Sequence, residues 1–255
     1  MCMSTELARI ALVIAVFAYA SMSDLKTYEV QDRVWVALCG LGAPLVMYDV
    51  LGGSLALPAV ILSVLASALV VGFVYVLCVL GIADVFGLAD VKGVVALSLV
   101  LPTYPITPLA PLTHLSLLGY PWDFFALSAL FNAFLLGFLV VAYIVARNLI
   151  EGRTPWSEGG RFFMGFAVPP HKLEGARVEL LETFDSDGSS HPSPPYEPDE
   201  QETRLMLKLH EKGRLDKVWV SPKVPFMVLL LGGMLTSLVV GDLLVFLLSL
   251  MLSVM

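Results

Sequence analysis

The sequence predicts an all-α polytopic membrane protein of about six transmembrane helices, with a small α+β insert between the fifth and sixth. Three observations carry that prediction. The chain of 255 residues is 58% hydrophobic and 15% charged, with a mean hydropathy of +0.84, whereas soluble domains are nearer half apolar and a quarter charged. Apolar runs of about 20 residues recur, the length that a hydrocarbon core roughly 30 Å thick demands. Composition then turns polar between Asn148 and Pro222, which holds thirteen acidic and nine basic residues. The expected division is therefore 1–147 for the first five membrane helices, 148–222 for a cytosolic insert, and 223–255 for the sixth helix and a tail.

Leu7 to Met22 is the first apolar run. Ala18-Tyr19-Ala20 looks like a signal-peptidase site, but Glu6 beside Arg9 spoils a basic leader and further spans follow, so a transmembrane helix is expected. It ends in the polar patch Ser23-Asp24-Leu25-Lys26-Thr27. The second run is Val34 to Leu51, with a kink expected at Pro44, which membrane helices tolerate. Gly52-Gly53-Ser54 makes a turn, and Leu55 to Leu80 is the third span. The fourth opens at Asp90 and reaches Leu101 before Pro102. Its twelve residues, at 1.5 Å each, extend only about 18 Å, so it lies shallow or continues irregularly through Pro105, Pro108 and Pro111. Trp122 marks an interface, and Phe124 to Ala146 is the fifth span. In the insert, Arg161 to Val168, Ala176 to Phe184 and Val218 to Val220 read as strands, Asp185 to Asp199 as a flexible loop, and Glu200 to Lys212 as a helix closed by Gly213. Met227 to about Val245 is the sixth span.

Charge narrows the function. A formal net charge of -7 leaves no basic face for nucleic acid. Cys2, Cys39 and Cys78 have no C-x-x-C spacing, and the four histidines show no H-E-x-x-H pairing, so neither a disulfide framework nor a metal site is expected. Fourteen of the fifteen Lys and Arg residues fall in loops 1–2, 3–4 and 5–6, and only Arg9 falls on the other side. By the positive-inside rule the N-terminus lies outside, and the insert lies in the cytosol. Asp24 and Asp90 then share the cytosolic face.

Acids at a membrane boundary are candidates for function. Asp90 and Lys92 lie in Gly87-Leu88-Ala89-Asp90-Val91-Lys92-Gly93, at the mouth of an apolar run. Two carboxylates at one depth can share a proton: the ionised one draws a proton from water while the protonated one hydrogen-bonds a scissile carbonyl. Neither a metal nor a serine or cysteine nucleophile is then required. The alternative stands beside it, in which Asp24 marks an exposed helix end and Asp90 caps a helix. Asp84, in Gly81-Ile82-Ala83-Asp84, competes with Asp90 but lacks a following lysine and helix; it reads as a loop residue near substrate. Asp242, Asp49 and Asp123 are expected at the outer face, and Asp32 at a solvated helix start or facing a basic substrate segment. Lys92 is expected to pair with the carboxylate of Asp24 or Asp90 or to snorkel to headgroups. Gly232-Gly233 is expected to let helices pack closely.

Gly87-Leu88-Ala89-Asp90-Val91-Lys92 resembles the Gly-x-Gly-Asp-x-Lys motif of the type IV prepilin and preflagellin peptidases, with Ala89 in place of the second glycine. Ser23-Asp24-Leu25-Lys26-Thr27 matches the segment of the other catalytic aspartate, and Lys223-Val224-Pro225-Phe226 is similar to the lead-in to the family's last helix. The polar insert looks more like the archaeal preflagellin branch. The resemblance implies an aspartic endopeptidase of the cytoplasmic membrane without a cofactor, with Asp24 and Asp90 catalytic and Asp84, Gly87 and Lys92 supporting. Its partners would be the bilayer and a membrane-inserted preflagellin or prepilin-like precursor with a short basic leader, which the acidic insert suits. Bacterial members add an N-terminal cytosolic region with paired cysteines and methylate the new terminus; neither that region nor those cysteines are found in this sequence, so proteolysis without methyl transfer is expected. The rivals are a presenilin-like intramembrane protease and a proton-binding transporter or assembly protein; the latter would want acids in facing repeats.

Overall fold

A computed structural model describes residues 2–80, 87–105, 124–173, 178–185, 189–243, 246–247 and 251. They fall into two compact units, one of Met1–Gly137 with Pro225–Met255 and the other of Phe138–Val224. Among the described residues the chain is mostly helical, with one small sheet in the second unit.

The first unit is built from α1 (Cys2–Thr27), α2 (Asp32–Leu51), α3 (Leu57–Val79), α4 (Leu88–Val100), the first half of α5 (Phe125–Ile150), and α9 (Phe226–Val239). Among the described residues four helices are long and apolar enough to cross a membrane, namely Thr5–Thr27, Asp32–Leu51, Leu57–Val79 and Phe125–Ile150. α4 and α9 are shorter, at 13 and 14 residues. Phe17, Trp35, Leu97, Val100, Leu130 and Leu230 meet in the core of this unit. α1 runs past its apolar stretch through Asp24 and stops where Tyr28 takes a positive φ of 54°. Pro44 lies inside α2, which continues through it.

Where a span to about Val245 is expected, α9 stops at Val239. Hydropathy does not stop it; a polar side chain from another helix does. The fully buried Asn132 of α5 donates from Nδ2 to Ser237 Oγ (2.8 Å) and to the Gly241 carbonyl (2.9 Å). Its Oδ1 accepts from the Leu243 amide at 3.0 Å. Gly241 sits at φ 98°, a conformation that favours glycine, and the turn there leaves Asp242 beyond the helix rather than within it. Higher on α9, a Cβ on Gly233 would collide with the backbone of Ala129 and Ala133, so the glycine pair does let α9 lie against α5.

One end of this unit is pinned by a charge pair that sequence spacing hides. Arg9 Nη2 lies 2.9 Å from Asp49 Oδ2, with the two side chains 8% and 2% exposed. Thr5 Oγ1 donates to the other Asp49 oxygen (2.7 Å), and Arg9 Nη1 donates to the Val100 carbonyl (3.0 Å). Asp49 is thus a buried tie between α1, α2 and α4. Asp123 lies outside the described residues, as do Trp122, Pro108 and Pro111.

The second unit comprises the latter half of α5, α6 (Pro155–Glu158), α7 (Arg161–Met164), β1 (Phe166–Val168), β2 (Val178–Phe184), β3 (Ser190–Tyr196), α8 (Glu200–Glu211) and β4 (Val218–Pro222). The sheet is antiparallel in the order β1-β4-β2-β3, with Phe166 opposite Val220, Leu180 opposite Val220, and Thr183 opposite His191. Two corrections belong here. Arg161 to Met164 is a helical turn, so the first strand is shorter than expected. Ser190–Tyr196, expected as part of a flexible loop, is an edge strand despite Pro192, Pro194 and Pro195. An edge tolerates proline because one side of the strand has no ladder to feed. α8 begins with a capping box in which Glu202 N donates to Asp199 Oδ1 at 2.7 Å, and it buries Met206 and Leu209. Buried Glu182 ties the unit together, accepting from the Trp219 amide (2.7 Å) and from Arg161 Nη1 (3.2 Å).

Removing one member of a buried ion pair strands the other charge. Asp49→Ala is therefore expected to cost about 3–5 kcal/mol, while Arg9→Met combined with Asp49→Leu recovers most of it. Thermal unfolding of the detergent-solubilised protein checks this; equal losses in the single and double variants would contradict it.

Candidate active site

At the opposite end of the first unit, four helix ends gather: the C-terminus of α1 and the N-termini of α2, α4 and α9. Lys92 Nζ of α4 meets Asp32 Oδ1 of α2 at 2.6 Å. That pair occupies both residues. Lys92 thus pairs with Asp32 rather than with Asp24 or Asp90 as expected, because its side chain reaches across to the start of α2.

Asp24 lies one turn from the C-terminus of α1 and is 9% exposed, so it is not an exposed helix end. Its Oδ2 accepts from the Met227 amide at 3.1 Å. Met227 is the second residue of α9, and the first turn of a helix has amides with no partner inside the helix. Three residues earlier on α1, Ser21 Oγ donates to the Met227 carbonyl at 2.9 Å. One residue of α9 is therefore gripped at both backbone polar atoms by one face of α1.

Asp90 is the third residue of α4 and is likewise buried. Its Oδ2 accepts from the Gly87 amide at 2.8 Å, half of a capping box. The capping alternative for Asp90 thus describes one of its oxygens. What the site uses of Gly87 is its N–H: its φ is -89°, which any residue adopts, and an added Cβ would reach Asp90 Oδ2 only at an ordinary 3.4 Å.

The α9 residue that holds Asp24, Met227, packs against α4, the helix that carries Asp90. Each aspartate fastens one oxygen to an amide at a helix N-terminus, where the helix dipole favours negative charge. The second oxygen of each has no hydrogen-bond partner among the described residues. Such an arrangement orients two carboxylates without using them up. Asp84 lies outside the described residues.

Three neighbours carried no signal of their own in the sequence. Ser21 and Met227 act through a hydroxyl and a backbone, and only the helical spacing of Ser21 to Asp24 hints at a shared face. Trp35 of α2 is buried with its ring 5.5 Å from Phe17, and its Nε1 has no partner among the described residues. Gly93, one turn beyond Asp90, is where these meet. A Cβ there would lie 3.0 Å from Trp35 Cη2 and 3.3 Å from Met227 Cε. The missing side chain of Gly93 lets Met227, which holds Asp24, approach the helix that carries Asp90. Among the described residues no group of three or more His, Cys, Asp or Glu side chains is placed to hold a metal ion.

Comparison with known proteins covers nearly the whole of this architecture. Residues 11–147 match the family model described as the type IV leader peptidase family. Residues 161–243 match a second, described as the archaeal peptidase A24 C-terminus, type II. No curated protein matches the chain.

The contacts at Gly93 and Gly87 differ enough to test. Gly93→Ala forces Trp35 or Met227 aside and is expected to cost about 1–3 kcal/mol of stability. Gly87→Ala, with its amide kept and only an ordinary contact added, is expected to cost less than about 1 kcal/mol. Paired melting curves decide it, and the reverse ranking would refute the packing described for α4.

Proposed function

The chain belongs to the type IV leader peptidase family, and we propose that it is an aspartic endopeptidase with Asp24 and Asp90 as its catalytic pair. A protease of this family acts on a membrane-bound precursor. The observation that carries the reading is the shared arrangement of the two side chains. Both are buried, both are held through one oxygen by a helix N-terminal amide, and each keeps its other oxygen without a hydrogen-bond partner among the described residues.

The chemistry follows from that arrangement. The ionised member takes a proton from a water molecule as the water oxygen adds to the scissile carbonyl carbon. The protonated member hydrogen-bonds the carbonyl oxygen, which carries the developing negative charge. Collapse of the tetrahedral intermediate breaks the C–N bond, and the leaving nitrogen takes a proton from the pair. Which aspartate carries the proton at the start is a property of the pair rather than of either residue. Gly87 supports the reaction through its amide. Lys92 supports it by tying α4 to α2 through Asp32, and Asp84 is assigned to the substrate side.

The substrates we infer are precursors of archaeal flagellin or pilin-like subunits, with a short basic leader ahead of a hydrophobic helix. Cleavage is assigned to the cytosolic membrane face of a six-pass protein with its N-terminus outside. The fourteen-to-one division of basic residues supports this orientation. Methyl transfer to the new terminus is not part of the proposed activity. A presenilin-like site would want its first acid deep within a span, whereas Asp24 is three residues from the end of α1.

The test is cleavage of a preflagellin-like substrate by membranes carrying the wild type or one of three variants. Asp24→Asn and Asp90→Asn are each expected to lower the rate by at least about a hundredfold. Asp84→Asn is expected to stay within a few-fold of wild type. Processing that survives loss of either Asp24 or Asp90 would sink the assignment.

A further inference from the structure

The end of α5 carries a surface that neither the aspartates nor the sheet uses. The chain after the helix is strapped back onto it. Asn148, fully buried in the last turn, donates from Nδ2 to the carbonyls of Phe162 (2.9 Å) and Gly165 (2.7 Å). The Arg153 amide returns to the Asn148 carbonyl at 2.9 Å, and Arg153 Nη1 donates to Asn148 Oδ1 at 3.2 Å. Thr154 caps α6 by accepting from the Ser157 amide. Residues 151–165 therefore form a built corner held onto the helix end by these bonds.

This corner sorts its apolar side chains in two directions. Phe162 turns inward and is 1% exposed. Phe163 and Met164, lying between the two carbonyls that Asn148 holds, are exposed. So are Leu149 and Ile150 on the last turn of α5, and Trp156 on α6 is 95% exposed. A structure that spends a buried asparagine on holding this corner has left its largest aromatic side chain with nothing from its own unit against it.

The charges nearby are spoken for. Arg147 and Arg153 pair with Glu151 at 3.4 and 2.8 Å, and Arg161 pairs with Glu182 at 3.2 Å and Glu158 at 3.8 Å. Arg147 also lies over the Phe166 ring, while Arg153 and Arg161 flank that of Trp219. No basic patch is offered to an acidic partner by these three residues.

We propose that this corner is an interfacial anchor, in which Trp156, Phe163 and Met164 enter the headgroup–acyl boundary of the leaflet at which α5 ends. Continuity identifies the occupant. α5 is apolar enough to span, its final turn already presents Leu149 and Ile150 outward, and the corner prolongs that surface by a few residues. Tryptophan suits that depth because it has an apolar body and one polar N–H. With the neighbouring cations internally paired, binding rests on apolar contact and is insensitive to salt. The anchor would set the depth and tilt of the helix end from which the second unit begins. It stands apart from the aspartic reading and needs only that α5 crosses the bilayer.

The experiment uses the full chain at one molecule per nanodisc of neutral phosphatidylcholine, comparing wild type with Trp156→Phe. Trp35, Trp122 and Trp219 are common to both, so the difference spectrum reports Trp156. The difference emission is expected to fall by about twofold with phosphatidylcholine brominated high on its acyl chains, and less with deep bromines. It should be unchanged by aqueous iodide and by raised salt. Quenching by iodide with none by brominated lipid would overturn the proposal. So would lipid shielding that appears only with two copies per disc or with added precursor, since the surface would then serve a protein partner.

Discussion

Two helix N-termini, those of α4 and α9, each hold one aspartate by a single backbone amide, and the site depends on that constraint. The donors are Gly87 and Met227, and neither contributes a polar side chain. Amides at a helix start have no partner within the helix, so a carboxylate placed there satisfies a donor that would otherwise be stranded away from water. The same contact orients the carboxylate and leaves its second oxygen without a hydrogen-bond partner among the described residues. On the proposed reading, helix capping and the positioning of the two carboxylates are a single interaction seen from two sides.

The rest of the first unit keeps these ends in place. Ser21 and Asp24 grip the two polar atoms of Met227, which ties α9 to α1 across more than 200 residues of chain. Gly93 removes the side chain that would push Met227 and Trp35 from α4. At the far end, Arg9 and Asp49 tie α1, α2 and α4 together from inside. Bundles packed only through apolar side chains slide cheaply, because one leucine contact resembles the next. A buried ion pair has one register in which both charges are satisfied. We read the Arg9–Asp49 tie as what fixes the relative height of the helices on which the aspartates stand.

The second unit solves its problem differently. Its sheet is small and has two edges, and one edge is a proline-bearing strand. Glu182 reaches the Trp219 amide and Arg161, so a charged residue serves as a backbone partner where β2 and β4 meet. Asn148 performs the equivalent task at the end of α5. In both units a few buried polar side chains with partners distant in sequence specify geometry that apolar burial leaves loose.

The sequence by itself determined the membrane class and the main helices, and it nominated the two aspartates and the polar insert. Each of these rests on local composition or on spacing along one element. It also placed α8, whose capping box and closing Gly213 are contiguous in the chain. What the tertiary structure alone decided rests on partners distant in sequence. The early stop of α9 depends on Asn132, the partner of Lys92 is Asp32 sixty residues away, and Asp49 is buried because Arg9 lies beside it. The strand at Ser190–Tyr196 forms because β2 offers it an edge, against its own composition. Met227 and Gly87 act through backbone amides, which every residue but proline carries. No side-chain pattern can announce such a role, and only the folded chain assigns it.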